Sequence, residues 1–569
     1  MAGRAAGRTL LWILLAALAG SGCSPQRSAA VSTSDGDVQG VIEDGVRVFR
    51  GIPYAEAPVG DLRWRAPRPA PAWDGVREVT DYGPACWQAT DAGDAMFLNA
   101  LAEGSGMPGY GRWLITTLAG MAAPEVSEDC LYLNVVAPVA PAEALPVMVW
   151  IHGGGHQFGS ANPYESHSLP ARGVVLVTIN YRLGLYGFLA HPQLAAEDAH
   201  GSSGNYGMLD QIAALQWVQA NIAAFGGDPD NVTIFGESAG GHSVGQLMVS
   251  PPARGLFHRA IAQSGIGFYQ FQAMDQAIER DSGFGAGRRV AELAGVTGDG
   301  EIEALRKLST EALRDVALNP EVSETFHPQI DGFVLPESTA LAFAAGREAP
   351  VPLIVGSNAD EGSVLYHFGL TPVDGAELAQ PQTVAEWDAL LDQAFGPRAG
   401  KVALAYGVDG DADVVSAAEL LMADSWFGRH AYYAAERHAR NGFPTYLYFY
   451  ERRPPSPDQT IGASHALEIA HVFGTPMLPF WPTDGRDIEL TGEMQSHWVQ
   501  FARTGDPNAA GLAAWRPFTE LAPGEMAFGH DRSGYGPVLR RDRYLAMGEQ
   551  FAARERAAAV AALPASSGR

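Results

Sequence analysis

Near-continuous apolar runs alternating with helix-periodic segments predict an α/β fold built on one large, mostly parallel central sheet with helices on both faces. Two runs carry most of that expectation, residues 146–151 (PVMVWI) and 174–179 (VVLVTI). A strand with almost no polar position is buried on both faces, which is the condition of a sheet covered by helices on each side. The third observation is the interleaving: apolar runs at 260–262, 351–355 and 444–450 separate helical patterns at 301–318, 383–394 and 417–440.

The chain has 569 residues, with 38 Lys and Arg against 64 Asp and Glu, a net charge of −26 on a composition that is 47% hydrophobic. Such a chain can bury a large core, and no Pro/Ser-rich linker divides it, so residues 38–550 read as a single catalytic-sized domain. The acidic field repels polyanions and excludes nucleic acid as the main partner, leaving neutral or cationic small molecules.

Taken in order, residues 1–22 read as an export signal: Arg4 and Arg8 precede an apolar run over 10–19, and Gly20, Ser21 and Gly22 lead to Cys23. The run is too short to span a bilayer comfortably, the alternative being a permanent membrane helix. It resembles a bacterial lipoprotein signal, which makes Cys23 the candidate lipidation site and implies an exported, membrane-anchored protein in the periplasm or at the cell surface. Gly20 departs from that pattern, and Ala17-Leu18-Ala19 offers an ordinary cleavage site. A freely secreted or periplasmic protein is therefore the rival. Residues 23–37, rich in serine, read as a flexible tether. With Cys23 set aside, Cys86 and Cys130 remain as a disulfide pair for an oxidising compartment, the other reading being two buried thiols. A bridge of that span would contribute about 4 kcal/mol by the loop-entropy estimate.

Alternation over 40–50 around Asp44-Gly45 is a hairpin signal, and the proline-dense stretch 53–71 must run as loop. From Gly207 the spacing turns helical, with Met208, Ile212, Leu215, Val218 and Ile222 on one stripe, ending before Gly226-Gly227. Residues 232–235 (VTIF) are a short strand and a helix opens at Ala239. The Ala-rich residues 551–563 predict a terminal helix followed by a frayed tail to 569.

Between that strand and that helix stands Gly236-Glu237-Ser238-Ala239-Gly240. Chance alone would yield roughly 0.4 matches to Gly-x-Ser-x-Gly in so glycine-rich a chain, so the pentapeptide is weak by itself. Its position is what matters, because a strand, a tight glycine turn and a helix lift a serine hydroxyl clear of a sheet. The bland alternative is a buried serine in a glycine-rich helix start. A second signal is His152-Gly153-Gly154-Gly155 at the end of the 146–151 strand, whose bare backbone N–H groups can point at a developing oxyanion. A phosphate loop would need a Lys-Ser/Thr that is missing.

These motifs, with Phe225-Gly226-Gly227-Asp228-Pro229 before the serine and Glu128-Asp129-Cys130-Leu131-Tyr132-Leu133-Asn134-Val135, resemble the two signatures of type-B carboxylesterases. Gly51-Ile52-Pro53-Tyr54-Ala55, Asn180-Tyr181-Arg182-Leu183-Gly184, Gly204-Asn205-Tyr206-Gly207 and Phe501-Ala502-Arg503-Thr504-Gly505-Asp506-Pro507 extend the resemblance from about Val38 to beyond Asn508. It implies an α/β-hydrolase fold and a serine esterase with Ser238 as nucleophile, Glu361 as acid and His465 as base, in the chain order such folds use. Asp360 is the competing carboxylate, and His430, His438 and His471 are the decoy histidines. The resemblance further implies an oxyanion hole from the N–H groups of Gly154, Gly155 and Ala239, a small-molecule ester as substrate, and no cofactor. No His/Cys/Asp cluster has zinc-ligand spacing, so no metal is expected.

Departures from the family speak to substrate. Where cholinesterases hold a quaternary ammonium over a tryptophan, this chain has Gly120, with Trp113 nearby in a segment, 96–123, that is longer than usual. Choline esters are a poor expectation. Phe97, Leu98, Tyr110, Trp113, Leu114 and Ile115 of that segment either line and lid the site or pack against the body. His156 replaces a common phenylalanine after the three glycines, which predicts a more polar pocket there. Asn231-Val232-Thr233 is formally a sequon but reads as the entry to a strand. A specialised lipase or an esterase for toxins or polyesters would use the same triad, and a non-catalytic binding protein on this scaffold would normally lack part of it.

Overall fold

The structure is a computed structural model that describes residues 26–88, 93–111, 125–141, 143–268, 273–275, 282–323, 325–373, 376, 378, 380–476 and 481–548. The signal segment with Cys23, the terminal Ala-rich segment, and Trp113, Leu114, Ile115 and Gly120 lie outside these residues.

Among the described residues, twelve strands form the main sheet: β1 (Gln26–Arg27), β2 (Val41–Glu43), β3 (Val46–Pro53), β4 (Tyr132–Pro138), β5 (Leu145–Ile151), β6 (Val175–Ile179), β7 (Gly227–Glu237), β8 (Arg259–Gln263), β9 (Leu353–Asn358), β10 (Thr445–Tyr450), β11 (Gly524–Phe528) and β12 (Ser533–Pro537). Their order across the sheet is β1-β2-β3-β4-β6-β5-β7-β8-β9-β10-β11-β12. From β6 to β11 every neighbouring pair is parallel, and antiparallel pairs flank this centre on both sides. The expected doubly covered, mostly parallel sheet is what forms.

The reason is visible along β5. Val147, Val149 and Ile151 enter one apolar cluster, while Met148 and Trp150 enter a second on the opposite face. Each such side chain removed from water contributes about 1.5–3 kcal/mol, and a two-faced strand collects that gain at every residue. Helices α2 (Tyr206–Asn221) and α3 (Ala239–Val249) cover the first face with Met208, Ile212, Leu215, Val244 and Leu247. Helix α6 (Gly485–Thr504) covers the second with Leu490, Met494, Trp498 and Phe501.

The expected hairpin is β2–β3, and its turn residues Asp44 and Gly45 both take positive φ (45° and 82°), the pairing a two-residue hairpin loop requires. Three expectations need correction. Residues 26–37 are not a free tether: β1 pairs antiparallel with β2, Val31–Ser32 pairs with Asp37–Gln39, and Ser28 and Val31 are buried. Unpaired edge backbone at β2 gives the serine-rich segment somewhere to dock. The pattern over 301–318 is two helices, Glu301–Arg306 and Thr310–Ala317, because Ser309 caps the second by accepting the Ala312 N–H at 3.2 Å. The pattern expected over 417–440 begins earlier, as α4 (Asp411–Met422), passes through a π-helical turn (Ala423–Gly428) and continues as α5 (Arg429–Arg440). Such turns recur at functional sites because they bulge side chains out of register.

Cys86 and Cys130 form a disulfide. Helix α1 (Gly93–Gly104) lies inside the ring it closes, and its end is tied to a distant loop by the Thr460 N–H donating to Gly104 O at 2.7 Å.

Candidate active site

Strand β7 ends at Glu237, helix α3 begins at Ala239, and Ser238 between them holds φ 55° and ψ −122°. A left-handed backbone costs a non-glycine residue roughly 1–2 kcal/mol. Two hydrogen bonds hold it, Ser238 N–H to Gln263 O (2.9 Å) and His242 N–H to Ser238 O (2.8 Å). Gly240 is obligatory for a different reason: a Cβ there would lie 1.9 Å from Ile151 O, so only glycine lets the end of β5 pass beneath the elbow. That contact brings the loop 152–155 against the serine, and a Cβ on Gly153 would stand 3.2 Å from the Ser238 Cβ. Gly154 and Gly155 turn through positive φ (99° and 64°) and, with Ala239 and Ser238, line one cavity.

Glu361 and His465, the residues expected as acid and base, arrive from loops after β9 and β10. These loops are stitched side by side: the Asp360 N–H donates to Ala463 O (3.0 Å) and the Ala463 N–H donates to Asp360 Oδ2 (2.8 Å). Asp360 is thus a loop-tying residue, and its neighbour Glu361, fully buried, reaches the base. The His465 Nδ1–H donates to Glu361 Oε2 at 2.6 Å, while Glu361 Oε1 accepts the Asn358 N–H at 2.7 Å. His465 lines the same cavity as Ser238, and its Nε2 lies 3.1 Å from Oε1 of Glu237, the residue preceding the serine. The decoys have other neighbours. His471 bonds Thr491 Oγ1 (3.0 Å), His438 bonds Glu348 (2.9 Å), and His430 lines the cavity wall beside Arg429.

Two further carboxylates surround the base, and the motif strings contained them without revealing their part. Glu468, fully buried, accepts from Gln263 Nε2 (3.0 Å) and Asn358 Nδ2 (2.6 Å). Burial lifts the Glu468 carboxyl, and Glu361 nearby lifts it further; burial likewise holds Glu237 well above the usual carboxylate range. For His465, burial pulls downward, but Glu237 and Glu361 outweigh it and raise the imidazole to about 9. Buried carboxylates hold the imidazolium form, so this site stabilises the state a general base enters on taking a proton.

The cavity encloses about 620 Å³ and is walled mainly by aromatic and aliphatic side chains. Phe427, from the π-helical turn, packs its ring 4.8 Å from that of His465, and Phe97, from α1, lies 6.2 Å away. Phe97 and Leu98 therefore line the site, whereas Tyr110 is exposed on the surface. Asp424 anchors the π-helical turn through Arg540 (3.0 Å) and Tyr406 (2.9 Å), and Arg540 also donates to Ala359 O (2.7 Å) just before the acid. Among the described lining residues the ionisable side chains are Glu237, Tyr164 and histidines; lysine, arginine and aspartate do not occur. His156 does line the cavity as its polarity predicted, but its Nε2 faces Ser243 Oγ at 2.9 Å. Among the described residues, the group whose potential ligand atoms converge, Glu43, Glu165 and His167, lies away from the cavity, and Arg50 donates to both of its carboxylates.

The model of the carboxylesterase family matches residues 27–544. The para-nitrobenzyl esterase of Bacillus subtilis is 36% identical over 500 residues, covering 84% of this chain and 90% of that protein. Liver carboxylesterase 1 of Oryctolagus cuniculus is 36% identical over 559 residues, covering 91% and 94% respectively. Among solved structures, a carboxylesterase of Geobacillus stearothermophilus superposes with a TM-score of 0.75 at 32% identity, over 91% of this chain and 99% of that one.

Proposed function

The chain belongs to the carboxylesterase family, with its α/β-hydrolase fold, and is a carboxylic-ester hydrolase; from that premise we propose that it works through an acyl-enzyme on Ser238. A serine hydroxyl is a poor nucleophile until a neighbouring imidazole accepts its proton. His465 Nε2 takes the Ser238 proton as Oγ bonds to the ester carbonyl carbon. The same proton then passes to the departing alkoxide as the carbon–oxygen ester bond breaks. Water repeats the sequence on the acyl-enzyme and releases the acid. Glu361 holds the imidazole with Nε2 towards the serine and steadies its charged form. The N–H groups of Gly154, Gly155 and Ala239 receive the oxyanion, where one donor is typically worth about 3–4 kcal/mol in the transition state.

One observation carries this reading: the 2.6 Å pair of Glu361 and His465 opens on the cavity that Ser238 lines. The cavity's size and its uncharged aromatic walls favour bulky, neutral, largely apolar esters. We also propose that the protein is exported and lipidated on Cys23. A panel of p-nitrophenyl esters of increasing chain length, run with a choline ester and with Ser238→Ala, tests the first part. Turnover of the long neutral esters and its abolition in the variant are expected, and a variant that keeps its activity would reject the nucleophile. Mass spectrometry of the mature N-terminus tests the second, an unmodified chain retaining residues before Cys23 excluding lipidation.

A further inference from the structure

His156 closes the glycine loop with an unusual backbone. Its φ is 59°, after Gly154 at 99° and Gly155 at 64°, so three successive residues are left-handed and the last carries a side chain. Such a conformation persists where the surroundings over-determine it, and observed outliers of this kind gather at functional sites.

What holds His156 is a buried chain of polar contacts running across two helices. Its imidazole is 2% exposed and places Nε2 2.9 Å from Ser243 Oγ, in the second turn of α3. The Gln211 Nε2–H, from α2, donates to the same Ser243 Oγ at 3.0 Å. With Gln211 donating to its oxygen, the serine hydroxyl keeps its hydrogen free to donate to His156 Nε2 when the neutral ring carries its proton on Nδ1. Burial, and the neighbouring His327 and His242, hold this imidazole well below the usual histidine range, in keeping with that tautomer. On the backbone side the His156 carbonyl accepts the Gly184 N–H at 2.7 Å. A phenylalanine, the residue common at this place in the family, could fill the same space but could accept nothing from Ser243.

We propose that His156 is a positioning residue of the oxyanion hole: its imidazole ties the loop 153–155 to helix α3, so that the N–H groups of Gly154 and Gly155 keep one spacing from that of Ala239. The loop and the helix supply different donors to one oxygen, and a donor set is effective only if its geometry is held before charge develops. The hydrogen-bonded imidazole makes that spacing a property of the folded chain. This rests on the acyl-enzyme reading above.

The test uses the full-length enzyme with His156→Phe, His156→Gln, Ser243→Ala and Ser238→Ala, measuring kcat and KM on p-nitrophenyl butyrate and inhibition by a trifluoromethyl ketone that adds to the serine. His156→Phe should lower kcat by about 10–100-fold with KM within about twofold, and weaken the ketone by a similar factor. His156→Gln, whose amide oxygen can accept from Ser243, should recover most of both losses, and Ser243→Ala should lose part of both. A folded His156→Phe enzyme with parental kcat, or one whose kcat falls while ketone affinity stays parental, overturns the proposal. Should His156→Phe fail to fold, Ser243→Ala decides, parental kcat and ketone affinity overturning it. Ser238→Ala keeps the two readings apart: activity surviving there rejects the triad, whereas an inactive Ser238→Ala beside a fully active His156→Phe rejects only the role of His156.

Discussion

Among the described residues, His438 and His465 each meet a fully buried glutamate through Nδ1, and they differ in what the second ring nitrogen meets. His438 Nδ1 contacts Glu348 at 2.9 Å with both side chains wholly buried, and its Nε2 is consumed by Val351 O at 2.8 Å. His465 Nδ1 contacts Glu361 at 2.6 Å with equal burial of the acid, but its Nε2 lies on the side where Glu237 and Ser238 line the cavity. The first pair closes on itself and joins α5 to the segment before β9. The second turns its other nitrogen to the cavity side, where Glu237 Oε1 lies 3.1 Å away and a substrate can enter. A histidine–carboxylate pair is therefore no sign of catalysis until the far nitrogen is accounted for, which is why counting histidines in the chain could not select the base.

The sharpest way to break that contrast is to remove each imidazole. His465→Ala should lower kcat by about 10⁴-fold or more, as losing a triad member does. His438→Ala should instead take the imidazole from the buried Glu348, which keeps the Asn441 Nδ2–H at 2.9 Å, and cost about 3–5 kcal/mol of stability in urea unfolding, with parental kcat per folded molecule. A large kcat loss in the His438 variant would erase the distinction. The acids repeat the comparison more gently: Glu361→Gln should lower kcat by roughly 10²–10⁴-fold and Glu348→Gln should not, read on the same ester. Reduction of the disulfide, or Cys86→Ser with Cys130→Ser, should lower stability by about 2–4 kcal/mol in thermal or urea unfolding, because the ring it closes holds α1 and Phe97 on the cavity side.

The smallest effect sharpens the electrostatic side of the contrast. With His465 lifted to about 9 by Glu237 and Glu361, the base is protonated and idle on the acid side of that value, so kcat/KM should climb as pH rises towards it. Glu237→Gln removes a carboxyl that favours the imidazolium over the pH range where it is ionised, a range that its burial pushes upward, and the midpoint of the pH–rate profile should move to lower pH. A midpoint unmoved, or moved upward, would show that Glu237 does not act on this ring.

Much of the architecture was legible because the relevant residues are neighbours in the chain. The runs at 146–151 and 174–179 identified themselves as central strands, since a strand covered on both faces cannot afford polar positions. Ser238 was legible for the same reason: strand, glycine turn and helix are contiguous, and their packing makes Gly240 unavoidable. Glu361 and His465, 104 residues apart, were recognisable only through the family's motifs. The break at Ser309, the docking of residues 26–27 on the sheet edge and the π-helical turn at 423–428 went unread. Each depends on competition between partners that are distant in sequence or absent from a periodicity.

The order of residues by itself determined the sheet's character and the elbow, which follow from local periodicity and from turns that only glycine can make, and its motifs carried the resemblance to the family. Tertiary structure alone decided which carboxylate meets the base, that Glu237 and Glu468 also surround it, and that His156 bridges to Ser243. Those outcomes depend on which loops the parallel strands deliver to the same end of the sheet, and on burial, which strengthens charges and hydrogen bonds only once water has been excluded.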